Sequence, residues 1–94
     1  MNDQVFVFSF STPVGRFRIQ PDGDKFGLFI DYPEGDFDLL TSCVSPEDGV
    51  DYVAAQDTGL AEWDSLPTES LPDQIRNIDA WEKRPFRHYH RRGK

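Results

Sequence analysis

The C-terminal segment, residues 83–94, combines positive charge with aromatic rings. It holds six cations and no carboxylate. Cations neutralise phosphates and aromatic rings stack on bases, as in proteins that bind single-stranded nucleic acid. The candidate nucleic-acid residues are Lys83, Arg84, Phe86, Arg87, Tyr89, Arg91 and Arg92. The alternative is a solvated, flexible tail, because the acidic remainder of the chain repels nucleic acid.

Carboxylates dominate the rest of the chain. Up to residue 75 there are fifteen Asp and Glu against three cations, and the whole chain has a net charge of -7. Such a surface favours a basic partner, for example a nucleic-acid-binding protein whose site it occupies, although solubility alone also accounts for it. The candidate residues for contact with a partner protein are Asp22, Asp24, Asp36 and Asp38. Their spacing lacks the ligand register of a calcium-binding loop.

The remaining reactive side chains do not assemble a catalytic or metal site. Cys43 has no neighbouring base or cation to activate its thiol, so a packing role is favoured. The spacing of His88 and His90 would place both imidazoles on one side of an extended chain, but two ligands do not make a metal site and the flanking arginines repel cations. We therefore expect no cofactor, no metal and no enzymatic activity.

The length and composition indicate one small domain in a reducing compartment. The 94 residues fit a single fold, and the one cysteine excludes an internal disulfide. The N-terminus lacks the basic and apolar regions of a secretory signal, and no apolar run reaches the length of a membrane span. We expect a cytoplasmic protein with no membrane contact.

Strict alternation of apolar and polar residues predicts strands in the first part of the chain. Phe6, Phe8 and Phe10 share one side of a first strand, and this side is expected to be buried. Two further strands, Arg16 to Gln20 and Phe26 to Asp31, follow after short turns rich in Pro and Gly. Short connections favour antiparallel neighbours, and a fourth edge strand over residues 37–43 is left open.

The second part of the chain predicts one helix on the sheet and a short helix near the end. Ser45 is placed to cap a helix that starts at Pro46, and Val50, Val53 and Ala54 form its apolar stripe. A second helix is predicted over residues 71–81. The predicted fold class is α+β: a three- or four-stranded antiparallel β-meander with one helix on one face. Residues 1–82 form the domain and residues 83–94 the tail.

The order of motifs after the strands resembles a group of small bacterial proteins. The residues that carry the resemblance are Ser45 to Ala54, Thr58-Gly59, Trp63-Asp64-Ser65-Leu66 and Pro72 to Trp81. The sequence departs from this pattern at Gly49, where the group has alanine, and in the longer acidic turn from Tyr32 to Asp36. The resemblance implies the same α+β fold, and it brings no activity, because none is attached to the group.

The most economical functional hypothesis is a non-enzymatic protein-interaction or regulatory module. Its contact surface is either the acidic residues or, if the outer sheet face is uncovered, the apolar side chains of Val5, Val7 and Phe29. The alternative is a nucleic-acid accessory protein that uses the basic tail. The expected partner is another protein, and the chain itself is expected to be a monomer or a weak homodimer.

Overall fold

The computed structural model describes residues 5–86 and contains one five-stranded antiparallel sheet. The strands are β1 (Phe6–Thr12), β2 (Gly15–Asp22), β3 (Lys25–Asp31), β4 (Phe37–Cys43) and β5 (Glu82–Pro85). Their order across the sheet is β4-β3-β2-β1-β5. The meander of the first four strands agrees with the sequence analysis. The fifth strand was not predicted, because Glu82–Pro85 has no alternation of apolar and polar residues.

The two central strands supply most of the buried core. Phe17 and Ile19 on β2, with Leu28 and Ile30 on β3, are fully buried on one face of the sheet. We call this face the inner face. Their side chains alternate with polar or half-buried residues, so the period of two seen in the sequence corresponds to the two faces of the sheet.

The main helix, α1 (Pro46–Ala54), begins where its capping residue predicts. The Ser45 hydroxyl accepts a hydrogen bond from the Asp48 amide at 3.1 Å. Val50 and Val53 are buried, and the helix packs on β2, β3 and β4. Gly49 lies so close to the sheet that a Cβ atom there would be 2.8 Å from Cδ1 of Ile19. This approach explains a glycine inside a helix, where it costs up to about 1 kcal/mol relative to alanine.

A second helical turn, α2 (Ala61–Asp64), brings Trp63 under the sheet. The Trp63 ring contacts Phe17 edge to face with centroids 5.0 Å apart, and its indole N–H donates to the Val53 carbonyl at 2.9 Å. The Asp64 carboxylate accepts hydrogen bonds from the amide and the hydroxyl of Thr58. These bonds close the loop between the two helices and fix the indole in the core.

The prediction of a helix over residues 71–81 is wrong. The chain instead forms two 3₁₀ turns, Asp73–Arg76 and Ile78–Ala80. Asn77 between them has an extended backbone, and its side chain accepts the Asp79 amide as a local cap. This local bond competes with helix continuation. The apolar spacing still serves packing, since Trp81 is buried and donates its indole N–H to the carbonyl of the fully buried Ile75.

Strand β5 joins the other side of β1, with Ser9 opposite Glu82 and Val7 opposite Arg84. Arg84 and its neighbour Lys83 were both assigned to the tail, so the beginning of that segment belongs to the sheet. Pro85 is tolerated because β5 is an edge strand, where a missing amide hydrogen need not break the sheet.

The phenylalanines of β1 are half-buried. The apolar residues of α1 are not the main group that packs on them. Phe8 and Phe10 pack against the core, and the Phe10 ring lies 5.5 Å from that of Trp81. Phe6 lies beneath the ammonium group of Lys83 at 4.5 Å. The segment that leads into β5 therefore covers β1, whereas α1 covers the strands on the other side. Within residues 5–86, no helix has the length and apolar character that crossing a bilayer requires.

Candidate functional site

The outer face of the sheet points away from both helices and from the 3₁₀ turns. Its side chains come from alternate positions of all five strands, opposite in direction to Phe17 and Ile19. The outer-face residues include Val7, Ser9, Arg16, Arg18, Gln20, Phe29, Asp31, Phe37, Leu39, Glu82 and Arg84. The buried side chains of α1, α2 and the 3₁₀ turns belong to the core that contains the inner-face residues.

Three side chains form an apolar patch at the β3–β4 side of the outer face: Phe29, Phe37 and Leu39. Phe37 is 59% exposed and Leu39 is 51% exposed, which is unusual for such large apolar side chains. The rings of Phe29 and Phe37 are 6.1 Å apart. Gly27 makes room for the patch, because a Cβ atom there would lie 2.7 Å from the Phe29 ring and 3.2 Å from Leu39. The patch is therefore built into the sheet.

Arg18 connects this apolar patch to the polar part of the outer face. Its guanidinium donates two hydrogen bonds to Asp31, at 2.9 and 2.7 Å, and a third to Gln20 at 2.6 Å. The same group lies 4.5 Å from the centre of the Phe29 ring and 5.5 Å from that of Phe37. Hydrogen bonds to Asp31 and Gln20 fix the position of the guanidinium, and the guanidinium in turn supports the two rings.

Charge is distributed unequally between the two sides of the sheet. Residues 5–86 contain sixteen carboxylates and six cations. Four of the cations lie on the outer face with three carboxylates, and the other thirteen carboxylates accompany two cations elsewhere. The outer-face cations are Arg16, Arg18, Lys25 and Arg84, and the outer-face carboxylates are Asp22, Asp31 and Glu82. The outer face is therefore weakly basic on an otherwise strongly acidic protein.

The structure does not bring the four candidate aspartates together. Asp22 and Asp24 flank the turn between β2 and β3, while Asp36 and Asp38 lie at the opposite end of β3. A seven-residue strand separates the two pairs by about 20 Å. They form two small acidic sites and not one surface.

The second acidic site includes a tyrosine. The Tyr32 hydroxyl donates to the Asp38 carboxylate at 3.0 Å, beside an open depression of about 390 Å³ that Asp36 also lines. This hydrogen bond, with some burial and the nearby carboxylates, raises the pKa of Tyr32 above its usual range. The phenol therefore stays protonated at neutral pH and acts as a hydrogen-bond donor.

The candidate nucleic-acid residues divide at the end of the described chain. Lys83 lies over Phe6, and Arg84 lies on the outer face in an ion pair with Glu82 at 2.6 Å. The Phe86 amide donates to the Val5 carbonyl at 2.7 Å. The other four candidates are Arg87, Tyr89, Arg91 and Arg92, and with His88 and His90 they lie outside the described residues.

The chemistry of Cys43 agrees with a packing role. The residue is 1% exposed, and burial, with a smaller effect of Asp48, raises the pKa of the thiol to about 11. It is therefore protonated and weakly nucleophilic at neutral pH. Between residues 5 and 86, no three His, Cys, Asp or Glu side chains are grouped so that they could hold a metal ion.

Sequence reasoning identified Phe29 and missed its neighbours. Phe37 and Leu39 lie in the fourth strand that the sequence left open, and Arg18 lies in the second predicted strand, where the sequence assigned it no role. The signal was present in the meander, because antiparallel pairing places Arg18 opposite Phe29 and Phe29 opposite Leu39. A register drawn through the three strands would have found the patch.

Comparisons of the chain with protein-family models, with curated proteins and with solved structures found no match. The resemblance to small bacterial proteins stays a prediction. Function must therefore be argued from the site itself.

Proposed function

We propose that this protein is a non-enzymatic interaction module that binds another protein through the outer face of its sheet. The observation that carries the proposal is the exposure of Phe37 and Leu39 beside Phe29, on the face of the sheet opposite the core. Grouped apolar side chains of this kind mark contact sites on small proteins. We also propose that the protein acts in the cytoplasm.

The apolar patch has the features of a binding hot spot. Burying a large apolar side chain is worth about 1.5–3 kcal/mol, so Phe37 and Leu39 together would supply a substantial part of an affinity. Arg18 already holds both rings in place through Asp31 and Gln20. A partner therefore meets a preorganised surface and loses little entropy by ordering it.

Affinity capture with matched variants tests this proposal. The purified protein is immobilised and exposed to an extract of its source cells, beside Phe37→Ser/Leu39→Ser and a control variant, Asp22→Asn/Asp24→Asn. We expect a defined partner to bind the native protein and the control and to be lost from the patch variant. Thermal unfolding must show that both variants are folded.

Two outcomes would refute the proposal. Loss of the partner from the aspartate control, with retention by the patch variant, would move the site to the acidic turn between β2 and β3. Concentration-dependent dimerisation by light scattering that the patch variant abolishes, with no captured protein, would mean that the patch serves self-association instead.

The second candidate function is a nucleic-acid accessory role, which is favoured by one observation. Arg16, Arg18 and Arg84 line one pocket on the outer face, and Arg84 lies at the beginning of the basic segment. The exposed ring of Phe37 lies on the same face, 5.5 Å from the Arg18 guanidinium. Fluorescence anisotropy with labelled single-stranded DNA and RNA tests this role. Binding should weaken steeply with salt and should fall after deletion of residues 87–94. Equal signals from the intact and shortened chains would exclude a role for the tail.

A further inference from the structure

A small pocket on the outer face lies between β5, β1 and β2. It has a volume of about 140 Å³ and is lined by Val7, Ser9, Arg16, Arg18, Asp31 and Arg84. We call it the arginine pocket. Three of its six lining residues are arginines, in a protein with a net charge of -7. On such an acidic protein, three arginines around one pocket suggest a specific role for the pocket.

The floor of the arginine pocket offers a hydrogen-bond donor that nothing in the described chain uses. Ser9 is 9% exposed, and its hydroxyl makes no hydrogen bond to any residue between 5 and 86. The hydroxyl is not sealed in the interior, because no fully buried side-chain polar atom among these residues lacks a partner. It is therefore open to the pocket and free to bond to a ligand.

The three arginines differ in how far their charge is already neutralised. Arg18 is paired with Asp31 at 2.7 Å, and Arg84 is paired with Glu82 at 2.6 Å. Arg16 is exposed and has no ion pair in residues 5–86. The arginine pocket therefore carries about one uncompensated positive charge, held by Arg16.

We infer that the arginine pocket binds a carboxylate, presented by an acidic side chain of the partner protein. The inference rests on the proposed function and specifies the chemistry of the partner. A single negative charge matches the single excess cation, and a planar carboxylate can accept two hydrogen bonds from a guanidinium and one from the Ser9 hydroxyl. A polyanion is disfavoured, because its neighbouring charges would meet the thirteen carboxylates that residues 5–86 carry away from the outer face.

The position of Arg18 adds a second requirement on the partner. One part of this residue lines the arginine pocket, and its guanidinium also lies over the rings of Phe29 and Phe37. The carboxylate site and the apolar patch are thus adjacent. The partner segment should carry an Asp or Glu next to large apolar residues.

A pair of capped peptides tests the inference without knowledge of the partner. The first has the sequence Leu-Thr-Glu-Thr-Leu, and the second has Gln in place of Glu. Each is titrated into the ¹⁵N-labelled full chain at fixed ionic strength, and the amide shifts of Ser9 and Arg16 are followed. We expect the Glu peptide to bind about tenfold more tightly than the Gln peptide, as charge-assisted hydrogen bonds imply.

Two arginine variants show whether the discrimination comes from the pocket. Arg16→Gln should remove the preference for the Glu peptide. Arg76→Gln removes an equal charge from an exposed arginine on a 3₁₀ turn, which also lacks an ion pair in the described chain, and should leave the preference intact. Equal affinity for both peptides, or equal loss in both variants, would overturn the assignment.

Further measurements distinguish a carboxylate ligand from phosphate. They also test the arginine pocket independently of the proposed function. Inorganic phosphate that displaces the Glu peptide more effectively than acetate does would overturn the carboxylate assignment. Selective binding of the Glu peptide, with no partner protein captured through the apolar patch, would refute the proposed function while supporting the pocket. A captured partner whose binding is unchanged in Arg16→Gln would support the proposed function and refute the pocket's part in it.

Discussion

Replacement of Arg18 by glutamine is the most informative single perturbation of the outer face. The arginine makes two charge-assisted hydrogen bonds to Asp31 and one to Gln20, and it stacks on Phe29. The side chains of Arg18 and Asp31 are 21% and 29% exposed, so solvent screens the pair only in part. The substitution therefore removes more than an ordinary surface ion pair.

The expected loss can be built from these contacts. A fully exposed ion pair contributes up to about 1 kcal/mol, and the bidentate, half-buried geometry places this pair at the upper end of that range. Cation–π contact adds about 0.5–1 kcal/mol. We expect Arg18→Gln to lower the free energy of unfolding by about 2 kcal/mol, measured by urea denaturation at low salt. Arg16→Gln, on the same strand and face, should change it by less than about 0.5 kcal/mol.

A double-mutant cycle tests the assignment of this loss to the ion pair. Asp31→Asn alone should cost about 1 kcal/mol, and in the background of Arg18→Gln it should cost almost nothing. The coupling of about 1 kcal/mol should shrink when the salt concentration is raised. Additive effects of the two substitutions, or equal losses from Arg18→Gln and Arg16→Gln, would refute the reasoning.

Three further predictions concern the inner face and its loops. Gly49→Ala should destabilise the protein by about 1–2 kcal/mol in urea denaturation, because the new methyl group meets Ile19 and overpacking exceeds the gain in helix propensity. Gly49→Ala should cost clearly less in a chain that already carries Ile19→Val than in the native chain; an equal cost in both would mean that the contact with Ile19 is not the cause. Stability should fall as the pH rises from about 9 towards 11, by up to about 1.4 kcal/mol per pH unit, because the unfolded thiol of Cys43 ionises before the buried one. Cys43→Ala should lack this part of the slope, and an unchanged slope would assign it to other groups. Asp64→Asn should cost about 1 kcal/mol at neutral pH, because the amide is a weaker acceptor for Thr58, and an unchanged melting temperature would contradict that role.

The strands and the main helix were predictable because their signals are local. Alternation fixes which side of β2 is buried, and the Ser45-Pro46 pair fixes where α1 starts, without reference to the rest of the chain. The end of the chain was not predictable in this way. The spacing of Ile75 and Trp81 is compatible with a helix, but Asn77 between them has an extended backbone and accepts the Asp79 amide, and two 3₁₀ turns form instead. Strand β5 depends entirely on pairing with β1, which is distant in sequence.

The candidate site was predicted only in part for a related reason. Phe29 was identified as an outward aromatic residue, but its contacts with Phe37 and Arg18 require the register of three strands. The arginine pocket joins β1, β2 and β5, so it could not be found while β5 was unknown. Exposure, which distinguishes the apolar patch from core residues of the same type, is a property of the whole fold and not of a sequence window.

The hydrogen bond from the Phe86 amide to the Val5 carbonyl, 2.7 Å long, places the beginning and the end of the described chain at one point. Such a protein tolerates rearrangement of its connectivity. A designed linker that joins Phe86 to Val5, with new ends opened within the exposed turn at Gly35, would keep all four strand pairs. A circular permutant of this kind would carry fusion partners at the turn between β3 and β4, on the opposite side of the sheet from β5.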